Sequence, residues 1–428
     1  MLTRKMKDSG IEWIGEIPED WEKVKFKYIF DYQKGKKPNL YNEPKEDLYP
    51  YVSMDVQRNN LNKYQYANSR DGVLGEKNDI CVLWDGANAG EFYRLRIKGV
   101  ISSTSAIILR NTINPIVDKD YLFYFLKFYE IELKSSSIGM GIPHVDSFKM
   151  KNDVISFPSL KKQNIIVTAL NSKTKKIGVL ITETQQSIEE LKKYKQSLIT
   201  EAVTKGLDPN VEMKDSGIEW VGETPKHWLI TRPNRITTIV RGNSGFQKVD
   251  MKNTGDYVAV QYGQVYKLNV LDEKYQLYVD GKFYKEDQVV QKGDTILVST
   301  SETMEDLGHS CFYNRKDIGL LGGEQLCLKP NKKVLFDKFL YYATTYFNLE
   351  LNQYSTGLKV YRFKLDDLKK INMIVPSTIE EQRQIVSYLD EQTSHIDKLI
   401  EDKTKVIKEL EDYKKSLIYE YVTGKKEV

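Results

Sequence analysis

Cysteine is nearly absent from this chain of 428 residues: Cys81, Cys311 and Cys327 are all there is. An odd number of thiols cannot complete a disulfide framework. Each sits in an apolar, strand-like run, so they read as buried thiols in a reducing compartment, which places the chain in the cytoplasm. Histidine is almost as scarce, with four residues. Of these only His309 lies near a cysteine, Cys311, and a lone pair without a second at ligand spacing does not make a metal site. No apolar run approaches the roughly 18 residues of a membrane span. The first residues, Met1-Leu2-Thr3-Arg4-Lys5-Met6, have no apolar stretch of the kind a secretion signal needs.

Catalytic signatures are missing as well. No phosphate-binding Gly-x-x-x-x-Gly-Lys-Ser/Thr loop occurs, no Gly-x-Ser-x-Gly elbow, and no Asn/Asp-Pro-Pro-Tyr box of the amino-methyltransferase type. Glu43-Pro44-Lys45 fits the short Glu-x-Lys string of a metal-dependent nuclease, but Glu132-Leu133-Lys134 fits it equally, and such triplets arise by chance. Charge is nearly balanced, 64 Lys and Arg against 60 Asp and Glu, a net of +4 that is too mild to identify a nucleic-acid binder. The chain reads as a binding protein that holds no metal or cofactor of its own.

What is abundant is repetition. Met6-Lys7-Asp8-Ser9-Gly10-Ile11-Glu12-Trp13 recurs letter for letter as Met213 to Trp220, and the match continues to Trp21 and Trp228 with 12 identities in 16 positions. Gln163–Thr204 aligns without a gap on Gln382–Thr423, with 19 identities in 42. This is an internal duplication in circular order. In mid-chain the second repeat leads directly into the first. At the C-terminus it stops, and its continuation is found at Met6. The termini are therefore expected side by side, in a molecule with pseudo-twofold organisation.

Five blocks follow: an entry segment 1–21, a globular block 22–158, a central helical repeat 159–212, a second entry segment with its globular block 213–376, and a terminal helical repeat 377–428. In the helical repeats Leu170, Ile177, Thr184, Leu191 and Leu198 fall seven apart, as do Leu389, Ile396, Lys403, Leu410 and Leu417. Ile181, Ile188, Ile400 and Ile407 join the stripe, and Leu180, Tyr194, Leu399, Val406 and Tyr413 are expected to fill it. A heptad stripe sustained over four repeats argues coiled-coil packing. Neither helix can bury it alone, and the circular order favours an antiparallel pair. The globular blocks share anchors but little else. Each has a Tyr-Val entry strand, a Lys-x-Asp turn into a second strand (Lys77-Asn78-Asp79; Lys292-Gly293-Asp294), an aromatic helix, and a Gly followed 19 residues later by Pro. The fold class is α+β, with two β-rich domains separated by two long helices.

These features together closely resemble the specificity subunit of type I restriction–modification systems. The resemblance rests on the Lys-Asp-Ser-Gly-Ile-Glu-Trp segment before each variable block. It rests also on the helical repeats, which open Pro158…Gln163 and Pro376…Gln382 and close Lys-x-Ser-Leu-Ile…Val-Thr. It spans essentially the whole chain. It implies two target-recognition domains, a split asymmetric site on double-stranded DNA, and no catalysis by this chain. It implies partners as well: two methyltransferase subunits using S-adenosylmethionine, and restriction subunits using ATP and Mg²⁺. The alternative is a pseudo-symmetric coiled-coil scaffold for proteins, without DNA recognition.

Under that resemblance, loops carrying cations, amides and glycines become candidate DNA contacts, since phosphates fix register and base edges carry sequence. The first is Lys34, Lys36, Lys37, Asn39 and Tyr41. Its counterpart is Arg241, Asn243, Gln247 and Lys248. The closing loops add Gly139, Gly141 and His144, and Lys359, Tyr361 and Arg362. Trp84–Asn88 and Ser299–Glu302 are weaker candidates.

Overall fold

The computed structural model describes residues 5–59, 64–111, 116–136, 142–304, 306–357 and 360–427. The chain divides into two compact units, one of Met1–Gln185 with Thr404–Val428 and one of Gln186–Lys403. Both long helices, Leu160–Lys205 and Ile379–Val422, contribute to each unit.

In the first unit one antiparallel sheet orders strands Phe30–Lys34, Ser105–Arg110, Ile80–Leu83 and Phe92–Arg94. A second orders Tyr66–Asn68, Leu48–Val52, Gly99–Ile101 and Leu74–Gly75, with one parallel pair at its centre. The second unit repeats the plan. Thr237–Arg241, Gln325–Pro330, Thr295–Val298 and Ser310–Tyr313 form the first sheet, extended by Val270–Leu271. Tyr278–Val279, Tyr257–Val260, Gly319–Leu321 and Val289–Val290 form the second, again with one central parallel pair. The Lys-x-Asp turns explain one of the shared anchors. Asn78 and Gly293 hold φ of 71° and 97°, which Gly and Asn tolerate best. The aspartate that follows each accepts a backbone amide at 2.9 Å, from Glu76 and from Gln291 respectively. All three cysteines are free and buried, and burial pushes the thiols of Cys81 and Cys311 up to about 12.

The helices pack in opposite directions. In the first unit Ile166, Leu170 and Ile177 share a core with Leu417, Ile418 and Tyr421. In the second, Ile199, Ala202 and Val203 share one with Ile385, Val386 and Leu389. The residues turned from water follow an alternating four–three spacing: Gln163, Val167, Leu170, Thr174, Ile177, Ile181, Thr184, Ile188, Leu191, Lys195, Leu198 and Ala202. The terminal helix matches it from Gln382 through Ile400, Ile407 and Leu410 to Tyr421. Five residues expected in the stripe are not in it: Leu180, Tyr194, Leu399, Val406 and Tyr413 are 48, 56, 38, 44 and 53% exposed. Each precedes a seam position by one residue and so points about 100° away from it.

Each helix is fastened to its β domain in the same way. Gln163 donates through Nε2 to the carbonyls of Ile116 and Pro158 (3.0 and 2.8 Å) and accepts the Asp118 amide at 2.7 Å. Gln382 donates to the carbonyls of Val334 and Pro376 (3.0 and 3.1 Å) and accepts the Phe336 amide at 2.7 Å. Both glutamines are fully buried. Two to three turns further on, the Tyr124 hydroxyl meets Asn171 and Thr174, and that of Tyr342 meets Asp390 and Thr393. The circular hand-off is also present. In the first unit, Gly424 packs on Pro18 and Trp21, and the Tyr121 hydroxyl donates to the Val422 carbonyl at 3.0 Å. In the second, Gly206 packs on Trp228 and Pro225.

Candidate nucleic-acid interface

In the first unit, segments far apart in sequence meet at one carboxylate. Lys34 ends the strand Phe30–Lys34, and its ammonium lies 2.8 Å from Asp85 Oδ2. Asp85 follows the strand Ile80–Leu83, and its backbone bridges to His144, whose Nδ1 stands 2.6 Å from Asp85 Oδ1. Partial burial works against ionisation of Asp85, but hydrogen bonds from Lys34 and His144 outweigh it and hold the carboxyl below its ordinary value. An aromatic shelf supports the cluster. Trp84 packs on Tyr32 with centroids 4.4 Å apart, and Lys34 and Lys151 sit over these two rings. Two loops singled out as stronger candidates thus join the weaker one at Trp84–Asp85.

Next along the chain, Gly35 is pinched against the segment that follows the strand Gly99–Ile101, where a Cβ would stand 2.1 Å from the Ser102 carbonyl oxygen. The loop leaving that pinch exposes Lys36, Lys37 and Asn39. Tyr41, 40% exposed, is held by its backbone bridge to Tyr66.

The second unit has the same arrangement with other side chains. Arg241 ends the strand Thr237–Arg241 and is exposed. Gly242 is pinched as Gly35 is, its Cβ position 1.7 Å from the Gly322 carbonyl oxygen. Asn243 is fixed through its backbone, its amide donating to Gln288 Oε1 at 2.6 Å, which leaves its exposed side chain uncommitted to that contact. Gln247 and Lys248 are exposed on a short turn closed by Asp250. Thr300–Ser301 pairs with Tyr361–Arg362, the same place in the fold as the Asp85–His144 bridge. The carboxylate here comes from a different segment, the turn before the strand Gln325–Pro330: Glu324 accepts the Thr300 hydroxyl at 2.5 Å and lies 3.6 Å from the Arg362 guanidinium. Arg241, Ser299, Thr300, Glu324 and Arg362 line one cleft of about 320 Å³.

Glu324 and the central place of Asp85 were not legible as site features beforehand. The available signal for the first was Gly322-Gly323-Glu324, a turn at a strand end. Gly139, Gly141 and Lys359 lie outside the described residues. Among the described residues, no group of three or more His, Cys, Asp or Glu could hold a metal ion, and no helix is long and apolar enough to cross a membrane.

Comparisons with known proteins agree on one family. A family model described as the type I restriction modification DNA specificity domain matches twice, at residues 18–191 and 225–409. The MjaVIII type I restriction enzyme specificity subunit of Methanocaldococcus jannaschii is 30% identical over 433 residues, covering 96% of this chain and 93% of that protein. A putative MjaX specificity subunit of the same organism is 24% identical, covering 96 and 95%. A solved structure described as the basis of complex assembly and conformational transition of the type I R-M system superposes with a TM-score of 0.66. It is 15% identical and covers 95% of this chain and 99% of its own, a likeness of fold. The two family matches fall on the two β domains and run on into the helix after each, which fits a split target read in two parts. The chain belongs to the non-catalytic DNA specificity subunits of type I restriction–modification systems.

Proposed function

We propose that each β domain reads one half of a bipartite, asymmetric DNA target through the loop cluster at its Asp85–His144 or Thr300–Arg362 pairing. Lys34, Lys36, Lys37, Asn39, Tyr41 and His144 serve the first half. Arg241, Asn243, Gln247, Lys248, Tyr361 and Arg362 serve the second. The observation that carries this reading is the convergence, at the same place in two matched β frameworks, of cation-bearing loops whose side chains do not match. A shared framework with different linings suits two different sequences. Basic side chains supply phosphate contacts, and amides and guanidiniums supply base contacts.

The same proposal has the chain direct two methyltransferase subunits, and restriction subunits in the larger assembly, to that target within the cytoplasm. S-adenosylmethionine, ATP and Mg²⁺ belong to those partners. An uncovered groove of about 930 Å³ in the first unit supports a protein partner. Trp13, Phe128, Ile131 and Ile418 floor it, and its charged edge carries four lysines, Lys134 and Lys414 among them, against Glu130 and Glu411. Apolar surface rimmed by charge is what an acidic, amphipathic element of a methyltransferase subunit would cover.

Exchange of residues 26–157 for the equivalent block of a relative, followed by mapping of methylated sites, tests the DNA reading. One half of the site should change and the other persist. A change in both halves would end the modular assignment, and a site unaffected by the exchange would favour a scaffold role.

A further inference from the structure

The cleft in the second unit sets guanidiniums beside a carboxylate. Arg241 and Arg362 offer donors only, and Glu324 offers acceptors only. Glu324 reaches the cleft from a backbone at φ 63°, a region that residues with a Cβ seldom occupy. Its Oε2 faces both Thr300 and Arg362. Among the described residues no hydrogen bond reaches its Oε1, and the side chain is 45% exposed. Asp85 of the first unit differs, with both oxygens bonded and only 18% of the side chain exposed, so it positions Lys34 and His144.

Phosphate repels a carboxylate. An exposed one at a DNA surface is favourable where it accepts from a base, and the amino donors of the major groove are cytosine N4 and adenine N6. The neighbouring guanidinium distinguishes them. A G·C pair places two acceptors together, guanine O6 and N7, beside the cytosine amino group. An A·T pair separates its two acceptors with the adenine amino group and adds the thymine methyl. A forked donor next to a single acceptor therefore complements G·C.

We propose that the second unit reads a G·C base pair in the major groove through this cleft. Arg362 donates to guanine O6 and N7, and Glu324 Oε1 accepts from the cytosine amino group. The inference rests on the DNA reading above and deepens it to one base pair.

The test is selection of bound duplexes from a randomised library by the chain assembled with its methyltransferase partner. The wild type is compared with Glu324→Ala, Glu324→Gly and Arg362→Lys. The glycine variant suits the positive φ, so misfolding does not decide the result. The wild-type half-site assigned to the second unit should contain a fixed G·C pair. Both Glu324 variants should lose about ten- to hundredfold of the preference for cytosine there, Arg362→Lys a similar factor for guanine, and the other half-site should not change. A half-site without a fixed G·C pair, full preference retained by the Glu324 variants, or loss of preference in both halves overturns the proposal. If the wild-type complex selects no sequence at all, the DNA reading fails first and this inference with it.

Discussion

Gly424 turns the end of the terminal helix onto Trp21: with φ 74°, it brings its backbone so close that a Cβ would stand 2.9 Å from the indole and 2.5 Å from Pro18. Gly206, which ends the central helix one residue further along the repeat than Gly424 does, has φ 78° and leaves 3.2 Å to Trp228. Substitution to alanine meets backbone strain at both sites but a severe clash only at the first. Gly424→Ala should destabilise the first unit by about 1–3 kcal/mol, and Gly206→Ala should cost less. Thermal unfolding of the two variants measures the difference. Equal losses would mean that the clash is relieved by small movements.

The loop cations should not weigh equally in DNA binding. Lys36 and Lys37 are exposed and have no ion partner among the described residues, whereas Lys34 is paired with Asp85. Each phosphate contact contributes about 0.9 to the slope of log affinity against log salt. Lys36→Ala with Lys37→Ala should flatten that slope by about two, and Lys34→Ala by less than one. A salt titration in which Lys34→Ala has the largest effect would place the phosphate at Lys34 and mean that its pairing with Asp85 gives way on binding.

Acid should loosen the second unit through Arg315. This guanidinium, 3% exposed, donates to each carboxylate oxygen of Asp317 at 2.7 Å, to the Asp272 carbonyl at 2.8 Å, and to the Tyr275 carbonyl. The hydrogen bonds from Arg315 hold the Asp317 carboxyl below its ordinary 3.8. The folded value lies under the unfolded one. The pairing therefore contributes fully above about pH 4 and is lost as pH falls through the lowered value. Asp317→Asn should remove part of the acid-side fall in stability. Arg315→Ala, which removes the partner of Asp317 and of the Asp272 and Tyr275 carbonyls, all only partly buried, should cost roughly 1–2 kcal/mol at neutral pH. Unfolding curves from pH 2 to 7 compare the variants.

Helix length should govern the unread spacer of the target. Thr184 and Lys403 are equivalent in the two repeats and both lie on the seam. A heptad inserted after each keeps the seam nearly in phase and adds roughly 10 Å, about three base pairs. Both half-site sequences should persist while the spacer lengthens. An unchanged spacer in a folded variant would leave the helices only a partner-docking role.

The architecture was legible because duplication leaves a record that needs no energetics. Identity between Met6–Trp21 and Met213–Trp228 is a statement about letters, and the contact of Gly424 with Trp21 realises the order those letters imply. Heptad spacing gave the seam, but not its edges. Tyr194 and Tyr413 are apolar enough to belong and are one residue out of phase. The candidate interface was legible loop by loop and not as a cluster. Asp85 and His144 are 59 positions apart, and nothing local in either segment announces the other. Glu324 was hidden for a further reason: an acidic residue carries no signal for DNA until the cations around it are seen.

The buried glutamines at the helix starts have a consequence for domain exchange. Among the described residues, the side-chain hydrogen bonds of Gln163 and Gln382 to their β domains all run to main-chain carbonyls and amides. A plug that grips backbone alone is indifferent to the side chains of what it holds. Exchange of one domain for another with the same strand frame therefore leaves this joint intact, and what the incoming domain must still match is the side-chain contacts a little further along, at Asn171 and Thr174 or at Asp390 and Thr393.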